Sequence, residues 1–285
     1  MASLAHVGFM GTHLKPSVYL AETELRLERT APTHVLFQNA WTVIPRREAH
    51  QLLEEYPLRR RLREVARRRI ASLNGRRANE ALTLTRYMAD LVEAQGIAPT
   101  RAVEVGASID LFHLEPSTPS GASGLGTFAL VPGSVQPYKN PAGALEYLAS
   151  MDAEHGLDAV VFAGPVHDPR LAQSLHEAAR AMSLVPHFSM FTRDEMKWLY
   201  LEAEVVVLPS KLESLNFSLG EALYFGRRVA VSPLPVHREV ADSLGARPLW
   251  IGEPESAYAP AQVDGEALLP AWHALRDIIS TENAQ

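Results

Sequence analysis

The chain of 285 residues is 47% hydrophobic and 21% charged, which predicts about two domains with sizeable cores and excludes a disordered tail. Its formal net charge of -6 argues against a dedicated nucleic-acid-binding protein. It contains no cysteine, which excludes disulfides, zinc–thiolate sites, iron–sulfur clusters and cysteine nucleophiles.

The first 112 residues show a βαβ pattern with few strands. Short apolar runs predict the strands, and the long segment 46–79 between the second and third predicts helix. The predicted strands are Ala5–Met10, His34–Phe37, Ala81–Thr85 and Ala102–Val105. Residues 1–112 are therefore expected to form a Rossmann-like domain that is incomplete.

The predicted helix of this part is rich in arginine, with nine arginines from Arg59 to Arg77. Neighbouring glutamates, among them Glu54, Glu55 and Glu64, favour a solvent-exposed helix face with balanced charge. The alternative is a basic surface that contacts anionic lipid or a phosphate-bearing acceptor. The sequence alone leaves both open.

No segment predicts a membrane span or a secretion signal. No apolar run approaches the roughly 18 residues that cross a bilayer. The N-terminal residues lack a basic segment followed by a long apolar one. We expect a cytoplasmic protein, with peripheral membrane contact through the arginine-rich helix as an open possibility.

Residues 113–126 predict a linker. Nine of these 14 residues are Pro, Ser, Thr or Gly, a composition that disfavours a packed element. The linker separates residues 1–112 from a longer C-terminal part.

The C-terminal part alternates short Val-rich runs with helical segments. Continuous apolar strands between helices predict a parallel sheet covered on both faces, and hence a Rossmann-like domain over residues 127–262. The predicted strands are 127–135, 159–163, 204–208 and 228–232, and the predicted helices are 141–151, 169–182, 193–203 and 218–225. Within residues 263–285, the segment Ala267–Ile279 predicts a closing helix.

The first candidate functional segment follows the first strand of this domain. Gly133 permits a tight turn and is followed by Ser134, while Lys139 directly precedes a helix. Asn140 is a good N-cap and Pro141 a good first helical residue, so Lys139 is expected at a helix N-terminus, where anions bind. The alternative is an exposed loop lysine, although the chain has only four lysines against 23 arginines.

The second segment follows the strand EVVVL, at the strand end where ligands bind in open α/β sheets. Glu213 and Glu221 lie eight positions apart. Each follows a serine by three residues, Ser210 and Ser218, which is the spacing of a capping box. Glu221 therefore either caps its own helix or points at a ligand hydroxyl, and the spacing does not decide.

Several common signatures are missing from the sequence. There is no D-x-D, no Walker loop, no H-E-x-x-H and no G-x-S-x-G, and the histidines show no metal-ligand spacing. The missing D-x-D argues against a nucleotide site bridged by a metal ion. We therefore expect neither a metal nor a bound cofactor.

Taken together, the two segments resemble glycosyltransferase family 4, the retaining, nucleotide-sugar-dependent enzymes of GT-B fold. Residues 133–140 resemble the family's glycine…lysine-asparagine loop, and Glu213 with Glu221 resembles its E-x7-E signature. The segments that resemble its other elements, in the family's order, are 81–97, 103–112, 160–165, 187–210 and 235–240. The resemblance covers residues 80–245 well.

The resemblance implies metal-independent transfer of a sugar, with retention, from a UDP- or GDP-linked donor to an unknown acceptor. Lys139 would neutralise the donor diphosphate, and Glu213 would face the transferred sugar, so both are candidate catalytic residues. Glu221 would hold the ribose hydroxyls, and Gly133 and Ser134 would belong to the donor loop. The backbone N–H groups around the phosphates would be those of Asn216, Phe217, Ser218 and Leu219.

Two departures from the family pattern keep alternatives open. Many members carry an arginine where this chain has Ser134, so one diphosphate cation is lost unless another arginine substitutes. The N-terminal domain is also expected to be shorter than the family's. The alternatives are an inactive or partner-dependent nucleotide-sugar-binding remnant, or another GT-B enzyme such as a nucleotide-sugar epimerase.

Overall fold

The computed structural model describes residues 34–97, 99–102, 110–151, 156–254 and 257–262. They form two parallel β-sheets, one of three strands and one of six, with helices packed against them. The predicted α/β architecture with two Rossmann-like sheets is confirmed. The predicted strand Ala5–Met10 and the predicted helix Ala267–Ile279 lie outside the described residues.

The N-terminal sheet has the order β1-β2-β3, and both strand pairs are parallel. Its elements are β1 (His34–Phe37), α1 (Arg46–Leu53), α2 (Leu58–Arg77), β2 (Glu80–Thr83), α3 (Arg86–Glu93) and β3 (Thr100–Ala102). The predicted helix 46–79 is thus two helices, because Pro57 lies in extended backbone immediately before α2 and disfavours helix in the residue ahead of it. The predicted strand Ala102–Val105 shares Ala102 with β3, and residues 103–109 lie outside the described residues.

The C-terminal sheet has the order β6-β5-β4-β7-β8-β9, with parallel pairing throughout. Its strands are β4 (Phe128–Pro132), β5 (Ala159–Ala163), β6 (Val185–Ser189), β7 (Val205–Leu208), β8 (Val229–Val231) and β9 (Leu249–Trp250). Its helices are α4 (Pro141–Ser150), α5 (Pro169–Ala181), α6 (Arg193–Glu202), α7 (Phe217–Phe225) and α8 (Pro235–Ser243). Strand β6 escapes prediction because it is a partly exposed edge strand containing Pro186, and it lacks the continuous apolar run of the central strands.

The order of strands reverses between β4 and β7. From β4 the chain proceeds outward to β5 and β6, and from β7 it proceeds outward in the other direction. The loops that follow β4 and β7 therefore leave neighbouring strand ends at the crevice where ligands bind in sheets of this kind. These two loops contain both candidate functional segments.

The linker region carries little regular structure. Between residues 113 and 126 the structure has one 3-10 turn, Ala122–Gly124, and Leu125 is buried in a core cluster with Phe128. The same cluster contains Leu36 and Leu82 of the N-terminal sheet, so the two sheets share one apolar core.

Polar contacts also join the two domains. The carboxylate of Glu239, in α8, accepts hydrogen bonds from the backbone N–H groups of Arg86 at 2.6 Å and Tyr87 at 2.8 Å, at the start of α3. Lys211 Nζ lies 2.6 Å from Glu55 Oε1 in a more exposed ion pair.

Within the described ranges, no helix combines the length and the apolar character needed to cross a bilayer.

Candidate active site

The loop after β4 is tightly folded against the loop after β5. Gly133 has φ +119°, a backbone conformation that favours glycine, and its N–H donates to Ala163 O at 2.9 Å. A Cβ on Gly164 would overlap the carbonyl of Gly133 and come 3.1 Å from Ser134 N. The predicted strand 127–135 accordingly ends at Pro132, because the backbone turns at Gly133.

We expect Gly164→Ala to disturb this loop. Its methyl group would press on the Gly133 backbone, which has no flexible side chain that could move aside. The free energy of unfolding should fall by about 1–3 kcal/mol, and the affinity for a nucleoside diphosphate should fall with it. Denaturant unfolding and calorimetry would measure both. Gly124→Ala is the matched control, because nothing lies within 4 Å of its Cβ position; equal behaviour of the two variants would contradict the prediction.

Asn140 occupies the N-cap position of α4, as predicted, but its side chain makes no capping hydrogen bond to the helix. Its backbone is left-handed, at φ 53°. The side-chain amide instead donates to Pro209 O at 3.1 Å. Asn140 therefore fastens the loop after β4 to the loop after β7, while Pro141 opens α4 as predicted.

Lys139 is not an exposed loop lysine. Its Nζ lies 2.6 Å from Glu213 Oε1, and its side chain is 22% exposed. Burial on its own would lower the pKa of Lys139, but the charge and hydrogen bond of Glu213 together with Tyr138 outweigh it and hold the pKa above the ordinary 10.5. The ammonium thus stays charged, and the two candidate catalytic residues form one ion pair.

Glu213 receives a second hydrogen bond on the same oxygen. Ser210 Oγ donates to Oε1 at 2.7 Å, side chain to side chain. No helix begins between these residues, since α7 starts at Phe217. The capping-box interpretation of Ser210 and Glu213 was therefore wrong, and the serine instead orients the carboxylate.

Glu221 does not cap its helix either. It is 4% exposed, and its two oxygens accept from Arg193 Nη2 at 2.5 Å and Tyr200 Oη at 3.0 Å. Burial first, and then the Glu221 charge, raise the pKa of Tyr200 well above 10, so its hydroxyl remains a donor. Ser218 hydrogen-bonds Tyr200 as well. The second capping-box interpretation was also wrong, and α6 holds the Glu221 carboxylate in place.

The N-cap of α7 is Asn216. Its backbone is left-handed, at φ 65°, and Oδ1 accepts from Leu219 N at 3.3 Å. The Leu219 N–H also donates to Asn216 O at 3.0 Å, so one of the four predicted phosphate-binding amides is already bonded. Phe217 and Ser218 form the first turn of α7, where the helix dipole favours an anion.

Sequence reasoning missed His237, whose buried ring contacts the Asn216 side chain and holds its orientation. Its Nε2 lies 2.9 Å from Asn216 Nδ2, and its Nδ1 lies 2.8 Å from Ser232 O. Burial lowers the pKa of His237 below 6.5, which favours the neutral ring. The neutral ring then donates from Nδ1 to the carbonyl and accepts at Nε2 from the amide, which sets the Asn216 side chain.

A cavity of about 310 Å³ opens beside this site, between α2 and the two loops. Tyr138, Glu213 and Ser214 line it from the C-terminal domain, and Arg60, Arg63 and Arg67 line it from α2. The interpretation of the arginine-rich helix as a solvent-exposed face therefore fits only its outer side.

Among the described residues, no three His, Asp or Glu side chains form a cluster that could hold a metal ion.

The comparisons with known proteins agree with this geometry. A family model described as glycosyl transferases group 1 matches residues 120–257. The structure resembles WaaG, a glycosyltransferase of lipopolysaccharide biosynthesis, with TM-score 0.56 and 18% identity over 89% of this chain and 69% of WaaG. It also resembles sucrose-phosphate synthase from Thermosynechococcus elongatus, with TM-score 0.56 and 14% identity over 88% and 60% of the two chains.

A third similar structure is Anabaena Alr3699/HepE in complex with UDP-glucose, with TM-score 0.53 and 16% identity over 88% of this chain and 63% of that one. A search of curated protein sequences found no match. The chain spans less than two thirds of the length of two of these solved structures, 60% of sucrose-phosphate synthase and 63% of HepE. Over residues 120–257, the C-terminal domain is thus similar to the group 1 glycosyl transferases.

Proposed function

We propose that the protein is a glycosyltransferase that moves a sugar from a nucleotide-sugar donor to an acceptor, with retention and without a metal ion. The observation that carries this proposal is the Lys139–Glu213 ion pair, which lies beside the N-terminus of α7 at the reversal point of the sheet. Such a transfer needs the leaving diphosphate to be stabilised, and a lysine together with a helix N-terminus can do this without a metal ion.

Each residue then has one task. The Lys139 ammonium and the N-terminus of α7 stabilise negative charge as the diphosphate leaves. Glu213 faces the transferred sugar, and the buried Glu221 accepts hydrogen bonds from the ribose hydroxyls. Both Glu221 oxygens already have protein partners, but a carboxylate has about four lone-pair sites and can accept more.

UDP is the first nucleotide to test. The HepE structures that this chain resembles are described as complexes with UDP and with UDP-glucose. We therefore extend to this chain a uridine donor, while the sugar and the acceptor stay open.

The test measures UDP release from UDP-glucose, and in parallel from a GDP-sugar, with EDTA in the assay. We expect slow donor hydrolysis without an acceptor, faster release with one, and a product of unchanged anomeric configuration by NMR. Loss of activity in EDTA would contradict the metal-free mechanism. Tight UDP binding without any turnover would instead support the donor-binding remnant, and conversion of the donor alone to another sugar nucleotide would support the epimerase.

We also propose that the outer face of α2 contacts an anionic membrane. Four large apolar side chains on this helix are between 43% and 69% exposed. They are Leu58, Leu62, Val65 and Leu73. Their spacing places them on one face, opposite the cavity, and arginines flank them, as in helices that lie in a lipid interface.

Co-sedimentation with vesicles containing phosphatidylglycerol tests this contact. We expect the double variant L62S/L73S to lose most of the bound fraction, and added salt to weaken the binding of the unmodified protein. Met190→Ser is the control, since Met190 is 72% exposed but lies outside α2. Equal binding of all three proteins would reject the membrane contact.

A further inference from the structure

Three arginines of α2 face the cavity beside Glu213. Arg60, Arg63 and Arg67 are spaced by three and four residues, which places them along one side of the helix. The same cavity is lined by Glu213 from the opposite wall. The cavity therefore combines a cationic wall with the carboxylate proposed to face the transferred sugar.

The charges in the cavity are not balanced. Glu213 is neutralised by Lys139, at 2.6 Å. The three arginines have one carboxylate among them, Glu64, which also lines the cavity and is 5% exposed. Among the residues that the structure describes, two positive charges are thus left over in a partly enclosed space, where an anion is favoured.

The ion pairs of Arg63 and Arg67 are long. Their nearest guanidinium nitrogens lie 3.4 and 3.5 Å from Glu64, and both approach the same oxygen, Oε1. Charge-assisted hydrogen bonds of this type are usually about 2.7–2.9 Å. Among the described residues, the other oxygen of Glu64 has no hydrogen-bond partner. Glu64 therefore holds the two guanidinium groups close together, but its contacts with them are too long to be strong hydrogen bonds.

Arg60 is held more firmly than the other two. It donates to Gln136 Oε1 at 3.0 Å and lies over the Tyr56 ring, 4.2 Å from its centroid. Gln136 in turn donates to Ser134 Oγ at 2.5 Å, in the loop after β4. Arg60 thus supports the wall and the loop, whereas Arg63 and Arg67, about half exposed, are positioned to bind a ligand.

We propose that this cavity binds an acceptor that carries a phosphate group, with Arg63 and Arg67 as the residues that bind the phosphate. The inference rests on the proposed function, because the acceptor has to approach the sugar at Glu213. Guanidinium groups match phosphate oxygens in geometry and charge. A cavity of about 310 Å³ suits a phosphorylated monosaccharide, at the small end of ligand sites.

The test is calorimetry with glucose 6-phosphate and with glucose, each in the presence and in the absence of saturating UDP. We expect glucose 6-phosphate to bind at least about tenfold more tightly than glucose. The double variant R63Q/R67Q should bind glucose 6-phosphate at least about tenfold more weakly, the loss expected for charge-assisted hydrogen bonds. The control variant R59Q/R69Q removes the same charge from exposed positions outside the cavity wall and should stay within about twofold.

If the two double variants lost equal affinity for glucose 6-phosphate, the loss would come from the change in overall charge, and the proposal would be overturned. So would equal binding of glucose and glucose 6-phosphate by the unmodified protein. UDP titrated alone reports on the proposed function separately, and R63Q/R67Q should leave UDP binding within about twofold. Failure of UDP to bind would count against the donor site, while the phosphate titrations without UDP would still decide the acceptor proposal.

Discussion

Replacing Glu213 with glutamine is expected to lower donor turnover by about 100- to 1,000-fold, the usual cost of removing a group that stabilises developing charge. Glutamine retains the size of the side chain and an oxygen that can accept from Lys139 and Ser210, so the loop should stay folded. What it removes is the negative charge that we propose to face the transferred sugar. UDP affinity should change by less than about threefold, because the amide keeps the local hydrogen bonds. Steady-state rates with UDP-glucose, beside calorimetry with UDP, would measure both quantities.

Ser210→Ala is the matched control for this prediction. It deletes one hydrogen bond to the same oxygen, Glu213 Oε1, and leaves the charge and the Lys139 partner in place. Its effect on turnover should stay within about tenfold, the lower end of the range for a hydrogen bond to a charged group, because Lys139 still holds the carboxylate. If Glu213→Gln and Ser210→Ala slowed turnover equally, orientation rather than charge would be the role of Glu213.

Glu221→Ala is expected to weaken UDP binding by about 10- to 100-fold, because the proposed contacts between a charged carboxylate and the ribose hydroxyls would be lost. The variant should also unfold more easily by about 1–3 kcal/mol, since the buried Tyr200 hydroxyl loses its acceptor. Tyr200→Phe separates the two effects. It removes the same hydrogen bond but keeps the carboxylate, so UDP affinity should be largely retained.

The ribose contact has its own test with 2′,3′-dideoxyuridine diphosphate. The unmodified protein should bind this analogue at least about tenfold more weakly than UDP. Glu221→Ala should bind both nucleotides equally, because the group that distinguishes them is gone. A variant that still prefers UDP by the full factor would show that another residue holds the ribose.

The sequence predicts the C-terminal sheet well because its central strands are continuous apolar runs. Residues 159–163 are a strand with the predicted limits, and β7 and β8 differ from their predictions only at the ends. In the N-terminal part, the many arginines weaken the apolar periodicity from which helix limits are predicted. The predicted helix 46–79 is two helices because Pro57 interrupts it.

The site is predicted in its parts but not in its pairings. Gly133, Lys139 and Glu213 are found from local spacing, yet the Lys139–Glu213 contact joins residues that are 74 positions apart. Arg193 reaches Glu221 across 28 positions in the same way. Local spacing left open whether Glu221 caps its own helix, and in the folded protein Asn216 is the N-cap while Glu221 binds Arg193 and Tyr200.

The Glu239 carboxylate ties α8 of one domain to the first turn of α3 in the other. A negative charge at a helix N-terminus is favourable, but salt screens it. A separation of the domains at α3 and α8 would break this contact, and one at Lys211 would break the exposed Lys211–Glu55 pair. We therefore expect higher ionic strength to ease such a separation, which in an enzyme limited by product release would speed turnover.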